Sequence, residues 1–184
     1  MKVDRTALPG VLVLTPRVFH DERGFLLEAF NAREIASAGL PITFVQDNHS
    51  RSAAGVVRGL HYQLEHPQGK LVRVVRGAVF DVALDIRVGS PTFGRSVTVE
   101  LNDDEHQMLW IPPGFAHGFC ALVEGTDVVY KCTDFYAPDD DRGVLWSDPD
   151  LSIPWPAIAD HVSAKDARYL PLRSPREDLP AYRP

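Results

Sequence analysis

The chain has 184 residues and a formal net charge of −6, with 45% hydrophobic and 24% charged residues. This length predicts one domain with its own core, and the composition is too apolar for a disordered chain. The acidic balance argues against a nucleic-acid binder but allows an anionic small ligand held by a few basic side chains. No apolar run reaches the ~18 residues of a membrane helix, and no signal peptide is recognisable, so we expect a cytoplasmic protein.

Strand patterns dominate the chain. Short runs of apolar and β-branched residues, separated by Gly and Pro, predict an all-β sandwich or closed barrel. From about residue 137 the sequence becomes irregular, with a helical tendency near 163–167, and we read residues 1–184 as one domain. The predicted strands are 10–19 (broken at Pro16), 25–30, 42–46, 56–63, 71–75, 79–88, 96–101, 108–111, 119–123 and 128–133.

One early segment predicts a helix, over residues 31–38. Asn31 is a favourable N-cap, and Glu34 follows three residues later, as in a capping box. Gly39 is placed to end the helix.

The predicted strand 79–88 alternates between two faces. Val82 and Leu84 lie on the apolar face, and Asp81 and Asp85 lie on the other. If the polar face points into a barrel, the two carboxylates are buried and need partners. If it points outward, they are simply solvated, and the sequence alone leaves both arrangements open.

Two of the seven histidines lie among glycines and apolar residues. They are His61 in the run RGLHYQ and His117 after WIPPGFA. Each is compatible with a hydrogen-bonded core histidine or with a catalytic base, since imidazole titrates near neutral pH. The others lie in polar, turn-like contexts and are expected at the surface: His20, His49, His66, His106 and His161.

Two further side chains are candidates for acid–base chemistry. Tyr130, in a predicted strand, is able to donate a proton inside a polar barrel, and Lys70 is able to stabilise an enolate oxygen. The plain alternatives are a core tyrosine and a solvated edge lysine. Cys120 and Cys132 are expected to be buried free thiols.

A metal site is not expected. The run PPGFAH at 112–117 resembles the second motif of the cupin superfamily of small β-barrels, many of which bind a metal. The first cupin motif needs a His-x-His pair, but this chain has His61-Tyr62-Gln63. A site for a first-row metal usually needs three or more converging ligands, and one imidazole is missing.

Taken together, the motifs resemble the dTDP-4-dehydrorhamnose 3,5-epimerase family. The resemblance covers roughly residues 8–170 and rests on eight segments in order. They are DERGF (21–25), QDNHS (46–50), RGLHYQ (58–63), GKLVR (69–73), DVALDIR (81–87), WIPPGFAHGF (110–119), YKCTDFY (130–136) and SAKD (163–166).

This resemblance implies a homodimeric cupin-type jelly-roll β-barrel with a few short peripheral helices and with neither metal nor cofactor. It also implies inversion of C3 and C5 of dTDP-4-dehydro-6-deoxy-D-glucose, in the biosynthesis of dTDP-L-rhamnose. The C4 ketone of that substrate acidifies the protons on both carbons. The enzyme therefore needs a base on one face, an acid on the other and a group that holds the enolate oxygen.

The resemblance also assigns the catalytic roles. His61 would be the base and Asp166 its partner, which fixes the imidazole tautomer as a carboxylate does in hydrolase triads. Tyr130 would reprotonate the opposite face, and Lys70 would stabilise the oxyanion.

The substrate contacts follow by the same resemblance. Arg23 and Arg58 match the phosphate-side positions, since arginine binds phosphate in a bidentate manner. His117, paired with Asp81, would support the sugar. Part of the set would come from the N-terminal region of the partner subunit. The further contacts are Glu28, Gln46, Asn48 and Lys165.

Two features depart from a simple match. Arg58 and His61 are three residues apart and point to opposite faces of an ideal strand, so we expect a bulge or sharp twist at Gly59. The family often has a Glu before the Gly of the loop 138–143. Arg142 holds that place here, and Asp141 is the nearest acidic candidate.

Four alternatives remain. A single-site epimerase would invert only C3 or C5, and a 3,4-ketoisomerase of the same barrel class would move the carbonyl. A non-catalytic sugar-nucleotide-binding cupin would exchange no protons. A metal-dependent cupin enzyme would lose its activity with its metal.

Overall fold

The structure is a computed structural model that describes residues 1–183. Most of its regular secondary structure is β-strand, which confirms the predicted all-β fold. One short helix and three 3₁₀ turns lie in the connections between strands. Within the described residues, no helix has the length and apolar character needed to span a membrane.

The secondary structure elements are short. The 3₁₀ turns span Pro138–Asp140, Pro149–Leu151 and Asp166–Arg168. In chain order the others are β1 (Lys2–Arg5), β2 (Leu12–Thr15), β3 (Val18–Asp21), β4 (Gly24–Leu27), α1 (Ala32–Ser37), β5 (Gln46–Ser52), β6 (Val56–Gln63), β7 (Lys70–Arg76), β8 (Ala78–Asp85), β9 (Ser96–Asn102), β10 (Met108–Ile111), β11 (Phe115–Ala121), β12 (Thr126–Cys132), β13 (Asp141–Gly143) and β14 (His161–Val162).

The strands form two large sheets and one small hairpin. Sheet 1 has the order β1-β2-β10-β7-β12-β5, and sheet 2 has the order β13-β6-β11-β8-β9, with β14 pairing in parallel with β6. The hairpin β3–β4 belongs to neither large sheet. Neighbouring strands are often distant in sequence, so residues from widely separated motifs come to lie side by side.

The main core lies between the two sheets. Side chains of β7, β10 and β12 in sheet 1 pack against those of β8, β9 and β11 in sheet 2. A second apolar cluster fills the space between the outer face of sheet 2 and the segment after residue 143. Each fully buried Val or Leu contributes roughly 1.5–3 kcal/mol to folding, so both layers stabilise the sheet that carries β6 and β11.

Strand β8 settles the alternative that its alternating pattern left open. Its residues Val79 and Ala83 belong to the core between the sheets, and Asp81 and Asp85 share their face. Both carboxylates are fully buried, whereas the apolar face packs beneath the C-terminal segment. Asp85 accepts hydrogen bonds from Arg87, Ser90 and Thr92, and these bonds turn the chain, so the strand ends before the predicted residue 88.

The predicted helix is confirmed. Asn31 caps it through hydrogen bonds from the N–H groups of Arg33 and Glu34, and Gly39 follows with a positive φ of 76°. The Glu34 carboxylate binds the Met1 amino group at 2.9 Å. Cys120 and Cys132 are buried free thiols, as predicted.

The strand predicted over residues 42–46 was wrong. Residues 41–45 are irregular, and β5 instead covers 46–52, QDNHSRS. Apolar alternation misses this strand because both of its faces are polar. Gln46, Asn48 and Ser50 line cavities between the sheets, and outward-facing residues bind charged side chains of β12.

Candidate active site

Two adjoining cavities lie between the sheets and share His61, Lys70 and Tyr130. Their volumes are about 370 and about 280 Å³. His61 belongs to β6 of sheet 2, whereas Lys70 and Tyr130 belong to β7 and β12 of sheet 1. The larger cavity is also lined by Arg58, His117, Lys165 and Asp166, and the smaller by Gln46, Asn48, Tyr136 and Asp141.

His61 is paired with a buried carboxylate. Its Nε2 lies 2.8 Å from Asp166 Oδ1, and the other carboxylate oxygen accepts the N–H of Gly59 at 3.2 Å. Burial alone would raise the pKa of Asp166, but the hydrogen bonds from His61 and Gly59 outweigh it and hold the pKa below its usual value. A charged carboxylate at Nε2 leaves Nδ1 as the basic nitrogen of the imidazole.

A bulge brings Arg58 and His61 to the same cavity. The pairing of β11 with β6 slips by one residue here: His117 faces His61, but Phe119 faces Arg58. Gly59 has a φ of +125°, and a Cβ at this position would lie 2.5 Å from the Cα of Gly118. The close approach therefore requires glycine, and the predicted bulge is confirmed.

Sheet 1 contributes two polar side chains, Lys70 and Tyr130, whose Nζ and hydroxyl make no hydrogen bond within residues 1–183. Burial lowers the pKa of Lys70, and the negative charges of Asp141 and Asp81 partly oppose this. Burial also raises the pKa of Tyr130. The cavity thus holds an amine that is available to an incoming oxygen and a phenol that stays protonated at neutral pH.

Asp81 supports His117, which lines the larger cavity. The His117 Nε2 lies 3.0 Å from each carboxylate oxygen of Asp81, and both side chains are buried. A buried carboxylate needs such a partner. The pair fixes the orientation of the imidazole, which lines the cavity.

Polar side chains connected by hydrogen bonds form one wall of the smaller cavity. Gln46 Nε2 donates to Asn48 Oδ1 at 3.0 Å, and Gln46 Oε1 accepts the N–H of Tyr136 at 2.8 Å. The Tyr136 hydroxyl donates to Asp141 at 2.9 Å, and Lys165 forms an ion pair with the same carboxylate. Asp141, the nearest acidic candidate in the loop 138–143, therefore lines this cavity.

Arg142 does not face the cavities, because its side chain binds Asp140. Tyr136 and Ser163 line the cavities although we did not single them out from the sequence. Both lie in conspicuous segments: Tyr136 ends the run YKCTDFY, and Ser163 begins the run that contains Asp166.

Arg23 and Glu28 are not in either cavity of their own chain. Arg23 lies at the tip of the β3–β4 hairpin, where its side chain is 85% exposed and binds Asp21. Glu28 follows the hairpin and accepts a hydrogen bond from Asn31. The same hairpin exposes two adjacent apolar side chains, Phe25 and Leu26.

No cluster of three or more His, Cys, Asp or Glu side chains suited to a metal ion occurs within residues 1–183. The grouping in the cavities is instead one of a carboxylate-paired imidazole, a phenol and several cations.

Known proteins resemble this chain in sequence and in fold. The model of a family described as dTDP-4-dehydrorhamnose 3,5-epimerase matches residues 5–174. A dTDP-4-dehydrorhamnose 3,5-epimerase of Pseudomonas aeruginosa is 55% identical over 157 residues, which are 85% of this chain and 87% of the relative. The corresponding protein of Shigella flexneri is 54% identical over 168 residues, 90% of this chain and 93% of the relative.

Among solved structures, a dTDP-6-deoxy-D-glucose-3,5-epimerase of Legionella pneumophila in complex with dTDP-4-keto-L-rhamnose is 45% identical to this chain. It superposes with a TM-score of 0.96 and covers 100% of this chain and 99% of its own.

Proposed function

The chain belongs to the dTDP-4-dehydrorhamnose 3,5-epimerase family, and from this membership we propose that it inverts C3 and C5 of dTDP-4-dehydro-6-deoxy-D-glucose. The product would be dTDP-4-dehydro-L-rhamnose, a step of dTDP-L-rhamnose biosynthesis. One observation carries the proposal: His61 with its carboxylate partner and the protonated Tyr130 line one cavity from opposite sheets. We propose further that residues 1–184 act as a single domain located in the cytoplasm.

The base in this reaction is His61. The C4 ketone of the substrate acidifies the protons on C3 and C5, so a neutral imidazole is strong enough to remove them. Asp166 holds Nε2 at 2.8 Å, orients the ring and stabilises the imidazolium that forms.

Inversion requires that the proton returns from the other face. Tyr130 is suited to this role because it lies on the opposite sheet and burial raises its pKa, which keeps a proton on the hydroxyl. The charge that develops on the C4 oxygen needs a donor, and the Lys70 ammonium is free to approach it.

The remaining cavity residues are proposed to bind the nucleotide diphosphate and the sugar. Arg58 and Lys165 supply positive charge beside the catalytic groups, and His117 lies where the sugar would rest. Gln46, Asn48 and Asp141 offer hydrogen bonds in the adjoining cavity. Because several positive charges line the cavity, an acidic protein is still able to bind a substrate with two phosphate groups.

We propose that the active protein is a homodimer in which each hairpin completes the neighbouring site. The β3–β4 hairpin exposes Phe25 and Leu26 at 58% and 73% of their surfaces, and Arg23 lies at its tip. Burial of the apolar side chains against a second copy would bring Arg23 and Glu28 towards the partner's cavity.

The test is solvent-deuterium incorporation. The protein is incubated with dTDP-4-dehydro-6-deoxy-D-glucose in D₂O, and NMR of the product locates the label. We expect deuterium at both C3 and C5. Label at only one carbon would establish a single-site epimerase, a moved carbonyl would establish a ketoisomerase, and no exchange would overturn the enzymatic proposal.

Replacement of the base provides the matched measurement. His61→Asn should lower incorporation at both carbons by at least about 100-fold while the Kd for dTDP changes little, since general-base catalysis contributes about 10²–10⁴-fold. His161→Asn serves as control because the His161 side chain is 66% exposed. Equal loss in both variants would contradict the role of His61.

A further inference from the structure

We propose that Tyr169 is a positioning residue that holds the imidazole of His61 in its reactive orientation, with Gly143 shaped to admit the tyrosine ring. This inference deepens the proposed function and rests on it. Tyr169 makes no contact with substrate in this assignment and acts only through His61.

Tyr169 packs against the base directly. Its ring and the His61 imidazole have centroids 5.9 Å apart and planes at 73°, an edge-to-face contact. This is a favoured geometry for two aromatic rings. The ring is bonded to Cβ at one end and held by Asp166 at Nε2, but it is still able to tilt about the line that joins these two points. The Tyr169 ring supplies a further point of support.

Both supports of His61 belong to one short segment. Asp166 begins the 3₁₀ turn Asp166–Arg168, and Tyr169 is its C-terminal capping residue, whose N–H donates to the Asp166 carbonyl at 3.4 Å. The next residue, Leu170, accepts a hydrogen bond from Leu145 N–H at 3.0 Å, which anchors the segment to the chain beyond β13. The segment therefore presents a carboxylate and an aromatic ring to the same imidazole.

The absence of a side chain at Gly143 makes room for the tyrosine. Gly143 pairs with His61 in the register of β13 and β6, so it is the cross-strand neighbour of the base. A Cβ at this position would overlap the Tyr169 ring. The φ of Gly143 does not require glycine, because it lies outside the left-handed region. Close approach of the ring is what explains the glycine here.

The contribution of the Tyr169 hydroxyl is separable from that of the ring. The hydroxyl oxygen is buried and has no partner at normal hydrogen-bond distance within residues 1–183. Burial raises its pKa, and the nearby Lys165 ammonium acts in the opposite direction. Phenylalanine retains the edge-to-face contact and removes only the unpaired oxygen. A positioning role therefore belongs to the ring, and Tyr169→Phe should restore what Tyr169→Ala loses.

The first experiment compares Tyr169→Ala, Tyr169→Leu and Tyr169→Phe by deuterium incorporation and by dTDP binding. We expect Tyr169→Ala and Tyr169→Leu to lower kcat for exchange by about 10–100-fold, because a misplacement near 1 Å can cost about 100-fold. The Kd for dTDP should stay within about twofold, since the contact acts on the base and not on a binding group. Tyr169→Phe should stay near wild type, as should Tyr182→Ala, a tyrosine that packs against Arg87 instead.

A different outcome would assign Tyr169 to binding. Lys165 Nζ lies 6.0 Å from the centre of the tyrosine ring and also lines the cavity. If Tyr169→Ala raised the Kd for dTDP and left kcat unchanged, the ring would act through Lys165 and the proposal would be overturned. Thermal unfolding of each variant identifies a loss of fold, and Tyr169→Leu keeps apolar volume if alanine alone destabilises the chain.

A double-mutant cycle with Gly143 isolates the contact. Gly143→Ala should lower kcat in the wild-type background, because the new methyl group displaces the ring. In the Tyr169→Ala background the same change should have less than about one third of that effect, because the methyl group has no ring to displace. Equal effects in both backgrounds would overturn the role of the contact.

The two proposals fail in different ways. If the wild-type protein incorporates no deuterium, the proposed function itself is wrong. If the wild type and Tyr169→Phe are active and Tyr169→Ala is equally active, the proposed function stands and the positioning role falls.

Discussion

At the level of single residues, His61 and Tyr130 differ in how the structure supports their polar atoms. His61 has a charged partner and an aromatic neighbour, whereas the half-buried Tyr130 has no carboxylate of residues 1–183 bound to its hydroxyl. A base gains from a carboxylate because the charge it acquires is stabilised. An acid gains from isolation, because nothing competes for the proton that it must give away.

Tyr130→Phe should separate proton removal from inversion. His61 is still able to remove a proton and return it to the same face, so we expect deuterium exchange into the unreacted substrate while formation of the inverted product falls by about 100-fold or more. NMR of substrate and product in D₂O measures both rates, and the Kd for dTDP serves as control. Full double inversion by this variant would contradict the role of Tyr130.

At the level of elements, the bulge in β6 determines which side chains reach the cavity. A regular strand would turn Arg58 away from the side that His61 faces. The extra residue restores both to one cavity, and the N–H of Gly59 then binds the carboxylate that supports the base.

Gly59→Ala should therefore destabilise the protein and impair catalysis together. The new Cβ would lie 2.5 Å from Gly118 Cα at a φ of +125°, which we expect to lower the free energy of unfolding by about 2–4 kcal/mol. Gly125→Ala is the matched control, since Gly125 also has a positive φ but has no atom within 4 Å of its Cβ position. Urea unfolding measures both, and equal losses would show that close packing at the bulge is unimportant.

The β3–β4 hairpin gives a prediction about subunit exchange. Arg23→Ala and His61→Asn should each be nearly inactive, but mixed after dissociation they should recover about one quarter of wild-type activity if each cavity receives Arg23 from its partner. Half of the randomly formed dimers are then mixed, and one of the two sites in each is complete. If mixing recovers no activity, Arg23 acts either in the site of its own chain or in no site.

At the level of the whole molecule, the loss of stability at low pH depends on carboxylates whose pKa values are lowered in the folded protein. Bonds from Arg51, with His49, lower the pKa of Asp127 to about 2. An unfolded aspartate has a pKa of about 3.9, so this contribution to stability is complete above that pH and disappears as the pH falls towards 2.

Arg51→Met should accordingly lower the Tm at pH 6. The Tm difference between the wild type and the variant should largely disappear between about pH 4 and pH 2. Calorimetry of both proteins over this range provides the measurement. Arg33→Met on α1 is the control, since Arg33 is exposed and its change should give no pH-dependent difference. A constant Tm difference at every pH would contradict the assignment to Asp127.

The sequence predicts the architecture better than the assembly of the site. Alternation identified β8 and the capping pattern identified α1, because both signals are local. The same logic missed β5, whose two faces are polar, and it did not indicate which face of β8 is buried. Asp166 was paired with His61 only through family resemblance, since the two are 105 positions apart and nothing local links them. The approach of Tyr169 to Gly143 depends on packing that no periodicity encodes.

The position of Asp166 in the chain has a consequence for the timing of activity during synthesis. Its carboxylate emerges from the ribosome 105 residues after His61 and after every strand of the two facing sheets. A nascent chain is thus able to pair its main strands while His61 still lacks the carboxylate of Asp166. In the proposed mechanism, proton abstraction would begin only once the C-terminal segment has docked, so docking of that segment would be the last step in forming the active site.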